Sequence, residues 1–432
     1  MRRSMAALPP LAVAALYARS AGFEFVWDDW YLVVNPTFEY LDVWAIGGSA
    51  GHGLHYLPAG HLTLLFDTWA HGSWAGGFHL TSVVLFAAAA FLVRVFFQNL
   101  FERSGDPATE GQARELALTC ALVFCVHPLQ VEPVAFVANR GGLVALLCWV
   151  GTLLLYAAFL ARPVWTLYVG TIVLTLSGLL SKATSIALPL VLFLFHMHRA
   201  PAERPRRIAL LLAPHFLLSA GFAFAHVAVA RGVGVMEAKD PIGLLQRIPR
   251  ALFTIEFYVW KFLWPTGLTI DYDLSALRAN WLSLVLGGAL LFSGFVCVVL
   301  RGQRRRTLPW FLAWSYLVAL VPVMNLLPTS PLVADRYAQL PLVVLCPLLV
   351  APLLVRLPVQ SRRVLAVLVI TALGAMSVHQ LSSWRDDEAL QRQVLANNPE
   401  SSKALHNISM VLWDRGRREE ALRVAIELQR IH

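Results

Sequence analysis

Two adjacent carboxylates, Asp28 and Asp29, follow the first hydrophobic segment of the chain, in the sequence Phe-Val-Trp-Asp-Asp-Trp. Like charges side by side at the end of such a segment are costly unless a metal, a cationic partner or a reaction uses them. A third carboxylate, Glu132, comes shortly after His127-Pro128. A carboxylate at a water boundary can accept the proton of a hydroxyl group. These three acidic residues are therefore candidates for acid-base chemistry.

Three basic residues stand at the ends of other hydrophobic runs, namely Arg140, Lys182 and Arg336. Any one of them can be explained as a capping or snorkelling side chain. Arginine and lysine donors also bind phosphate and stabilise the negative charge that builds on a phosphate leaving group. Because carboxylates and cations come from four separate places, they favour a site for an anionic substrate with an acid-base step.

The composition places these residues in a membrane protein. Hydrophobic residues make up 58% of the 432 positions and charged residues only 14%, against about 25% charged in a soluble domain. The mean hydropathy is +0.62. We predict an all-α polytopic membrane protein with about eleven transmembrane helices. They lie near residues 5–20, 78–97, 115–129, 141–161, 164–180, 184–198, 207–230, 281–300, 308–327, 338–355 and 364–381.

The distribution of arginine predicts the orientation. Alternate loops are rich in arginine, and the positive-inside rule places those loops and the N-terminus in the cytoplasm. The acidic pair, the candidate site and the C-terminus then face outward. This bias accounts for much of the net charge of +9, so nucleic-acid binding is not expected. The five cysteines lie in predicted helices without CxxC spacing, which favours neither disulfides nor a zinc site.

Two long segments fall on the outer side, residues 21–77 and 231–280. The first contains four histidines, His52, His55, His61 and His71, which are candidate metal ligands or solvated loop residues. The second contains an amphipathic run over 241–264, typical of a helix in the membrane interface. A packing helix between spans is an equally good interpretation of that run.

A polar segment from residue 384 onward divides the chain into a membrane domain, 1–383, and an extracytoplasmic helical segment, 384–432. The segment is similar to a tetratricopeptide repeat, on seven matching residues: Ala404, Asn407, Leu412, Gly416, Glu420, Ala421 and Leu422. One repeat buries its own apolar face poorly. We therefore expect it to dock on the membrane domain, on a partner or on another copy, or to continue into further repeats.

The chain as a whole resembles the membrane glycosyltransferases of the GT-C class, and most closely a bacterial relative of the transmembrane and tetratricopeptide-repeat-containing O-mannosyltransferases. The matching pieces run in the expected order along nearly the whole chain. They are Phe25 to Asp29, Tyr56 to Ala59, Gly77 to Leu80, His127-Pro128 with Glu132 and Arg140, Ser181-Lys182, Trp260 to Pro265, Asp335-Arg336-Tyr337 with Leu340-Pro341, and the terminal repeat.

The resemblance implies inverting transfer of a sugar, often mannose, from a polyprenyl-phosphate carrier to a hydroxyl group of a protein, glycan or lipid. By family role Asp28 or Asp29 is the general base, with a slight preference for Asp29, and Glu132 assists. The cations Arg140, Lys182 and Arg336 then hold the carrier phosphate. The repeat-like segment would bind the acceptor or a partner, and the implied location is a bacterial inner membrane.

The resemblance also marks four further site candidates, Tyr56, His79, His127 and Tyr337. A divalent metal, Mg or Mn, held by Asp28, Asp29 and a loop histidine such as His55 remains an open alternative. The chain departs from the family pattern at three positions, Leu57, Gly142 and Ala183. These departures affect the expected donor contacts, and a different sugar or an inactive paralogue would explain them. A transporter or flippase and a non-catalytic repeat scaffold are the rival functions, although no internal repeat favours a transporter.

Overall fold

The computed structural model describes residues 4–30, 57–232, 244–272, 281–326 and 331–431, and these residues fold into helices and connecting turns. Tyr56, His52 and His55 lie outside this part of the chain. The first helices are α1 Leu8–Tyr17, α2 Pro58–His71, α3 Ala75–Phe101, α4 Pro107–Gly111, α5 Ala113–Val126, α6 Val131–Ala135, α7 Arg140–Ala161, α8 Trp165–Leu179 and α9 Leu188–Arg199. Then follow α10 Pro205–Gly232, α11 Leu244–Leu263, α12 Trp281–Gly302, α13 Leu308–Leu320, α14 Gln339–Val355, α15 Val359–Ser382, α16 Asp387–Asn397, α17 Ser402–Asp414 and α18 Arg418–Ile431.

The chain is an all-helical membrane protein within the described residues. Each of the predicted spans contains a helix. Within the described ranges, five helices are long and apolar enough to cross a membrane alone, or six if one bent pair is a single span. The others, such as α8 and α9, are shorter apolar helices. A total of eleven spans stays a prediction.

Contacts near the ends of the helices define two ends of the helical bundle. At one end, the Ala138 N–H donates to a carboxylate oxygen of Asp29 at 2.6 Å. At the other end, Glu115 is paired with Arg362 at 2.8 Å and with Arg363 at 3.0 Å. Helix α5 runs between these ends and its 14 residues extend for about 21 Å. The end that contains Asp29 is called the site end below.

A break in one apolar helix pair brings a carboxylate to the site end. Helix α5 stops at Val126, and the helical turns from Pro128 to Ala135 continue at an angle of 58°. His127 has an extended backbone with φ −69° and ψ 133°, the conformation that a following proline imposes. Glu132 lies on α6 after this break, so the bend sets the direction from which its side chain enters the site.

Helix α11 carries the amphipathic pattern predicted over 241–264. Phe257 and Phe262 are buried against the protein, whereas Trp260, Leu263 and Trp264 are each about 60% exposed. Large exposed apolar side chains at one end of a helix suit contact with lipid at the membrane interface. The helix thus has one face in the protein core and an apolar edge that is free for lipid.

The C-terminal helices dock on the site end of the membrane domain. The Glu24 N–H donates to the Arg385 carbonyl at 3.0 Å, and Ser401 donates to Asp271 at 2.8 Å. Gln393 donates to the Leu268 carbonyl at 2.9 Å. Helices α17 and α18 pack on each other through a small core of Ile408, Leu412 and Ala421. Of the four arrangements expected for this segment, docking on the membrane domain is present in the monomer.

Candidate active site

The segment after α1 is held in an uncommon backbone conformation. Phe25 packs edge to face on Phe78 with ring centroids 5.2 Å apart. Trp27 has φ 54°, which costs a residue other than glycine about 1 kcal/mol or more. Its N–H donates to Asp387 of the C-terminal segment at 2.8 Å. The turn that presents the acidic pair is therefore fixed by both parts of the chain.

The two carboxylates of the acidic pair have different surroundings. Asp29 is fully buried, and its oxygens accept from the N–H groups of Ala138 at 2.6 Å and Val26 at 3.3 Å. Burial raises the pKa of Asp29 to about 8 although these N–H groups lower it. One oxygen thus ties the turn to Ala138 and the other closes the turn on Val26, so both oxygens are engaged.

Asp28, in contrast, is exposed and lines an open cavity of about 510 Å³. Desolvation by its surroundings raises the pKa of Asp28, whereas the charges of Arg336 and Lys403 lower it. The effect of Arg336 on this pKa means that its guanidinium lies within electrostatic reach of Asp28. Of the two adjacent acidic residues, Asp28 is the one that a substrate can approach.

Glu132 and Arg336 form an ion pair at the site end, in which the Arg336 guanidinium donates to one oxygen of Glu132. The other oxygen accepts the Asp335 N–H at 3.1 Å. Asp335 in turn accepts from the Tyr272 hydroxyl at 2.5 Å, and burial, followed by the charge of Glu132, raises the pKa of Asp335. Glu132 thus fixes the position of the Arg336 guanidinium.

Lys182 reaches the same region from the turn between α8 and α9. Its ammonium group donates to the Asn139 side-chain carbonyl at 2.8 Å. Burial, and then the charge of Arg336, lowers the pKa of Lys182 to about 8. Close backbone approach permits this position, since a Cβ on Gly141 would lie 2.2 Å from the Ser181 carbonyl oxygen. Since Lys182 binds Asn139 and Arg336 binds Glu132, the two cations lie on the same short stretch of chain.

Arg140 is fully engaged in a buried network. Its guanidinium donates to Asp67 at 2.7 Å, to the Phe78 carbonyl at 2.7 Å and to Ser82 at 3.0 Å. Both side chains of the Arg140–Asp67 ion pair are completely buried. Thr81 donates to the second oxygen of Asp67 at 2.6 Å. The network joins α2, α3 and α7 beneath the site.

The aromatic and histidine candidates have structural partners. His127 accepts the Leu129 N–H on Nδ1 at 3.2 Å, so Nε2 carries the proton and donates to the Phe262 carbonyl at 2.9 Å. The ring also stacks on Phe262 at 4.9 Å, which attaches α11 to the broken helix. His79 lies 3.2 Å from the Glu24 carbonyl through Nε2. The ring of Tyr337 lies 5.3 Å from the Arg336 guanidinium carbon.

A metal site is not tested by the described residues. Within these ranges no group of three His, Cys, Asp or Glu side chains has the arrangement to hold an ion. His55, the loop histidine named as a third ligand beside the acidic pair, lies outside them. Binding of a divalent metal by Asp28, Asp29 and a loop histidine such as His55 therefore stays a prediction.

Residues 132–140 connect the separate pieces of the site. Glu132 binds Arg336, Ala138 binds Asp29, Asn139 binds Lys182 and Arg140 binds Asp67. The structure thus gathers Asp28, Asp29, Glu132, Arg140, Lys182 and Arg336 around this one stretch.

Three residues that shape the site were missed in the sequence analysis. They are Asp67, Asn139 and Asp387, which bind Arg140, Lys182 and the Trp27 N–H, respectively. A lone acidic residue in the otherwise apolar helix α2 was a usable signal for Asp67, because such a residue needs a partner. Neither Asn139 nor Asp387 has a comparable signal, because each lies in an ordinary polar context.

Curated proteins similar to this chain are protein O-mannosyl-transferases. One from Caenorhabditis elegans is 22% identical over 431 residues, with 94% of this chain and 59% of the relative covered. The human proteins TMTC4 and TMTC1 are each 25% identical, with 94% and 100% of this chain and 63% and 57% of their own lengths covered. The predicted resemblance to the transmembrane and tetratricopeptide-repeat-containing O-mannosyltransferases is confirmed.

The extent of the similarity is also informative. The chain spans less than two thirds of the length of each of these three relatives. No family model matches the chain, and no solved structure matches it.

Proposed function

We propose that this protein transfers a mannosyl group from a polyprenyl-phosphate carrier to a hydroxyl group of a protein acceptor at the extracytoplasmic face of the membrane. The names of its relatives support the mannosyl group and the protein acceptor. A carrier-linked donor is supported by a membrane fold whose acidic and basic side chains meet at one end of the bundle.

One observation carries this proposal. Asp28 is an exposed carboxylate within electrostatic reach of Arg336, whereas Asp29 and Glu132 are buried and bonded to other groups. A general base must contact the proton that it removes. We therefore assign the role of base to Asp28, and we assign to Asp29 the task of holding the turn on which Asp28 lies.

The reaction proceeds as a single displacement. The carboxylate of Asp28 accepts the proton of the acceptor hydroxyl while the hydroxyl oxygen bonds to C1 of mannose. At the same time the bond between C1 and the phosphate oxygen breaks, and its electron pair leaves with the polyprenyl phosphate. Attack opposite the leaving group inverts the configuration at C1. Two cations near the base stabilise the charge that builds on the phosphate.

We assign those two cations to Lys182 and Arg336. The charge of Arg336 lowers the pKa of Lys182, and an anion between the two cations would relieve that repulsion. Glu132 orients Arg336 through their ion pair. Arg140, whose donors are already bonded to Asp67, Phe78 and Ser82, acts as a positioning residue beneath the site.

The carrier chain is accommodated on the lipid side of α11. Trp260, Leu263 and Trp264 are exposed there, and His127 attaches the same helix to the broken span that carries Glu132. A polyprenyl chain can remain in hydrocarbon beside this apolar edge while its phosphate reaches the cations. Orientation of the site end away from the cytoplasm rests on the positive-inside rule.

The test is a transfer assay on purified protein in lipid nanodiscs, with product detected by mass. Polyprenyl-phosphate mannose and serine- or threonine-containing peptides are supplied, and a nucleotide-linked mannose serves as the comparison donor. We expect a peptide heavier by one hexose with the polyprenyl donor only. A product formed equally well from the nucleotide-linked donor, or no product from either donor, would contradict the proposal.

A further inference from the structure

The cavity beside Asp28 has walls from both parts of the chain. Trp27, Asp28 and Trp30 form one side, on the turn after α1. The opposite side is helix α17, which contributes Asn407, Met410 and Asp414. Asn407, Met410 and Asp414 are spaced three and four residues apart and so share one face of the helix.

The docking contacts hold these walls at a fixed separation. Asp387, which also lines the cavity, accepts the Trp27 N–H at 2.8 Å. Arg415, directly after α17, is 3.4 Å from Glu24 and 2.8 Å from Glu388. The cavity of about 510 Å³ is thus formed by the folded monomer, and a short stretch of polypeptide or a few side chains would fill it.

The charge of the lining selects a cationic occupant. Asp28, Asp387 and Asp414 are acidic, and none of the described residues that line the cavity is basic. Asp414 is also the last residue of α17, where the carbonyl groups at the helix end add negative potential. The indole rings of Trp27 and Trp30 add surfaces that attract lysine and arginine side chains.

The cavity and the cations of the site lie in different places, so donor and acceptor can bind separately. Glu132, Lys182 and Arg336 do not line the cavity, although Arg336 acts electrostatically on Asp28. An anionic donor belongs with the cations, and the acidic cavity would repel its phosphate. Asp28 therefore lies between a place for the donor and a second place of opposite charge.

We propose that this second place is an acceptor cleft, which binds an extended polypeptide carrying a lysine or arginine close to the serine or threonine that is modified. This inference rests on the proposed function, since it names the acceptor of the same reaction. The basic side chain contacts Asp414 and the indole rings, and the neighbouring hydroxyl comes to Asp28. Helix α17 acts in this way as a specificity element of the transferase.

The test measures peptide binding without any donor, by fluorescence anisotropy on the full chain in nanodiscs. Three labelled peptides share one serine and differ at one neighbouring position, which is lysine, norleucine or glutamate. We expect the lysine peptide to bind most tightly. Asp414→Asn should weaken its binding about 3- to 5-fold, the size of one partly exposed ion pair. Glu427→Gln, at an exposed position of α18 outside the cavity, is the matched control and should change nothing.

Charge reversal makes the result decisive. Asp414→Lys should transfer the preference to the glutamate peptide, and a photo-reactive residue at Met410 should cross-link to the lysine peptide in the unaltered background. Equal binding of the three peptides, or a preference that Asp414→Lys does not change, would overturn the cleft. Transfer is measured in parallel. If binding follows peptide charge but no mannose is transferred, the cleft stands and the proposed function fails.

Discussion

Loss of the Asp67 carboxylate is the perturbation whose cost follows most directly from the structure. The Asp67–Arg140 ion pair has a 2.7 Å contact, and neither side chain is exposed. In Asp67→Leu the Arg140 guanidinium keeps the Phe78 carbonyl and Ser82 but loses its ion-pair partner. Breaking a buried pair in this way costs about 3 to 5 kcal/mol.

The corresponding shift in thermal unfolding is measurable. At about 2.1 cal/mol/K per residue, a chain of 432 residues has an unfolding entropy of about 0.9 kcal/mol/K. The loss of about 3 to 5 kcal/mol then lowers the unfolding temperature by about 3 to 6 °C. Differential scanning fluorimetry of the protein in one detergent resolves a change of this size.

A double substitution separates the charge effect from the loss of packing. In Asp67→Leu with Arg140→Met, no uncompensated charge remains, and apolar pairs of similar volume often match a buried ion pair in stability. We expect the double variant to unfold at a higher temperature than Asp67→Leu alone. Its KM for the donor should equal that of the original protein, because the Arg140 guanidinium is bonded to Asp67, Phe78 and Ser82 and does not contact the donor phosphate. Wild-type stability of Asp67→Leu, or a double variant no more stable than the single one, would refute this reasoning.

Two further predictions concern the surroundings of the base and the approach of Lys182. Asp28 accepts a proton only when ionised, so kcat/KM falls as pH falls through its pKa. The charge of Lys403 lowers the pKa of Asp28, and Lys403→Gln should therefore move the acid limb of the pH-rate profile to higher pH. An unchanged profile would show that Lys403 and Asp28 do not interact. Gly141→Ala would place Cβ 2.2 Å from the Ser181 carbonyl oxygen and should destabilise the protein by about 1 to 3 kcal/mol. Gly22→Ala meets no neighbouring atom and is the control in the same unfolding measurement.

Much of the helical architecture could be predicted from sequence because apolar runs and arginine-rich loops leave strong local signals. Helix α3, Ala75–Phe101, contains the span predicted at 78–97, and α7 and α15 match their predictions in the same way. Several other helices are too short to cross a membrane alone by length and composition. Hydropathy along the chain reports apolar character, and it does not report where a helix bends or stops.

The roles of adjacent carboxylates could not be separated from sequence. Asp28 and Asp29 have the same chemistry, and the slight preference for Asp29 as base had no geometric support. The difference between them arises because the N–H groups of Val26 and Ala138 bind Asp29, and the contact with Ala138 is made across 109 residues of chain. Exposure of Asp28 is a consequence of that contact, since neighbouring side chains on a tight turn point in different directions.

The docking of the C-terminal segment also required the structure. Its helical pattern was visible in the sequence, but the surface that covers it was one of four alternatives. The bonds from Trp27 to Asp387 and from Ser401 to Asp271 join polar groups that have no distinctive local pattern. The cavity that this docking creates was not foreseen in the sequence analysis.

The central claim is that Asp28 is the general base, and one comparison tests it directly. Transfer is followed in a single turnover at saturating donor and acceptor for the original protein and for Asp28→Asn, with donor binding and unfolding temperature measured on the same samples. We predict that Asp28→Asn lowers the rate by about 10² to 10⁴ and leaves donor affinity and stability unchanged. A variant that transfers mannose at the original rate would contradict the assignment.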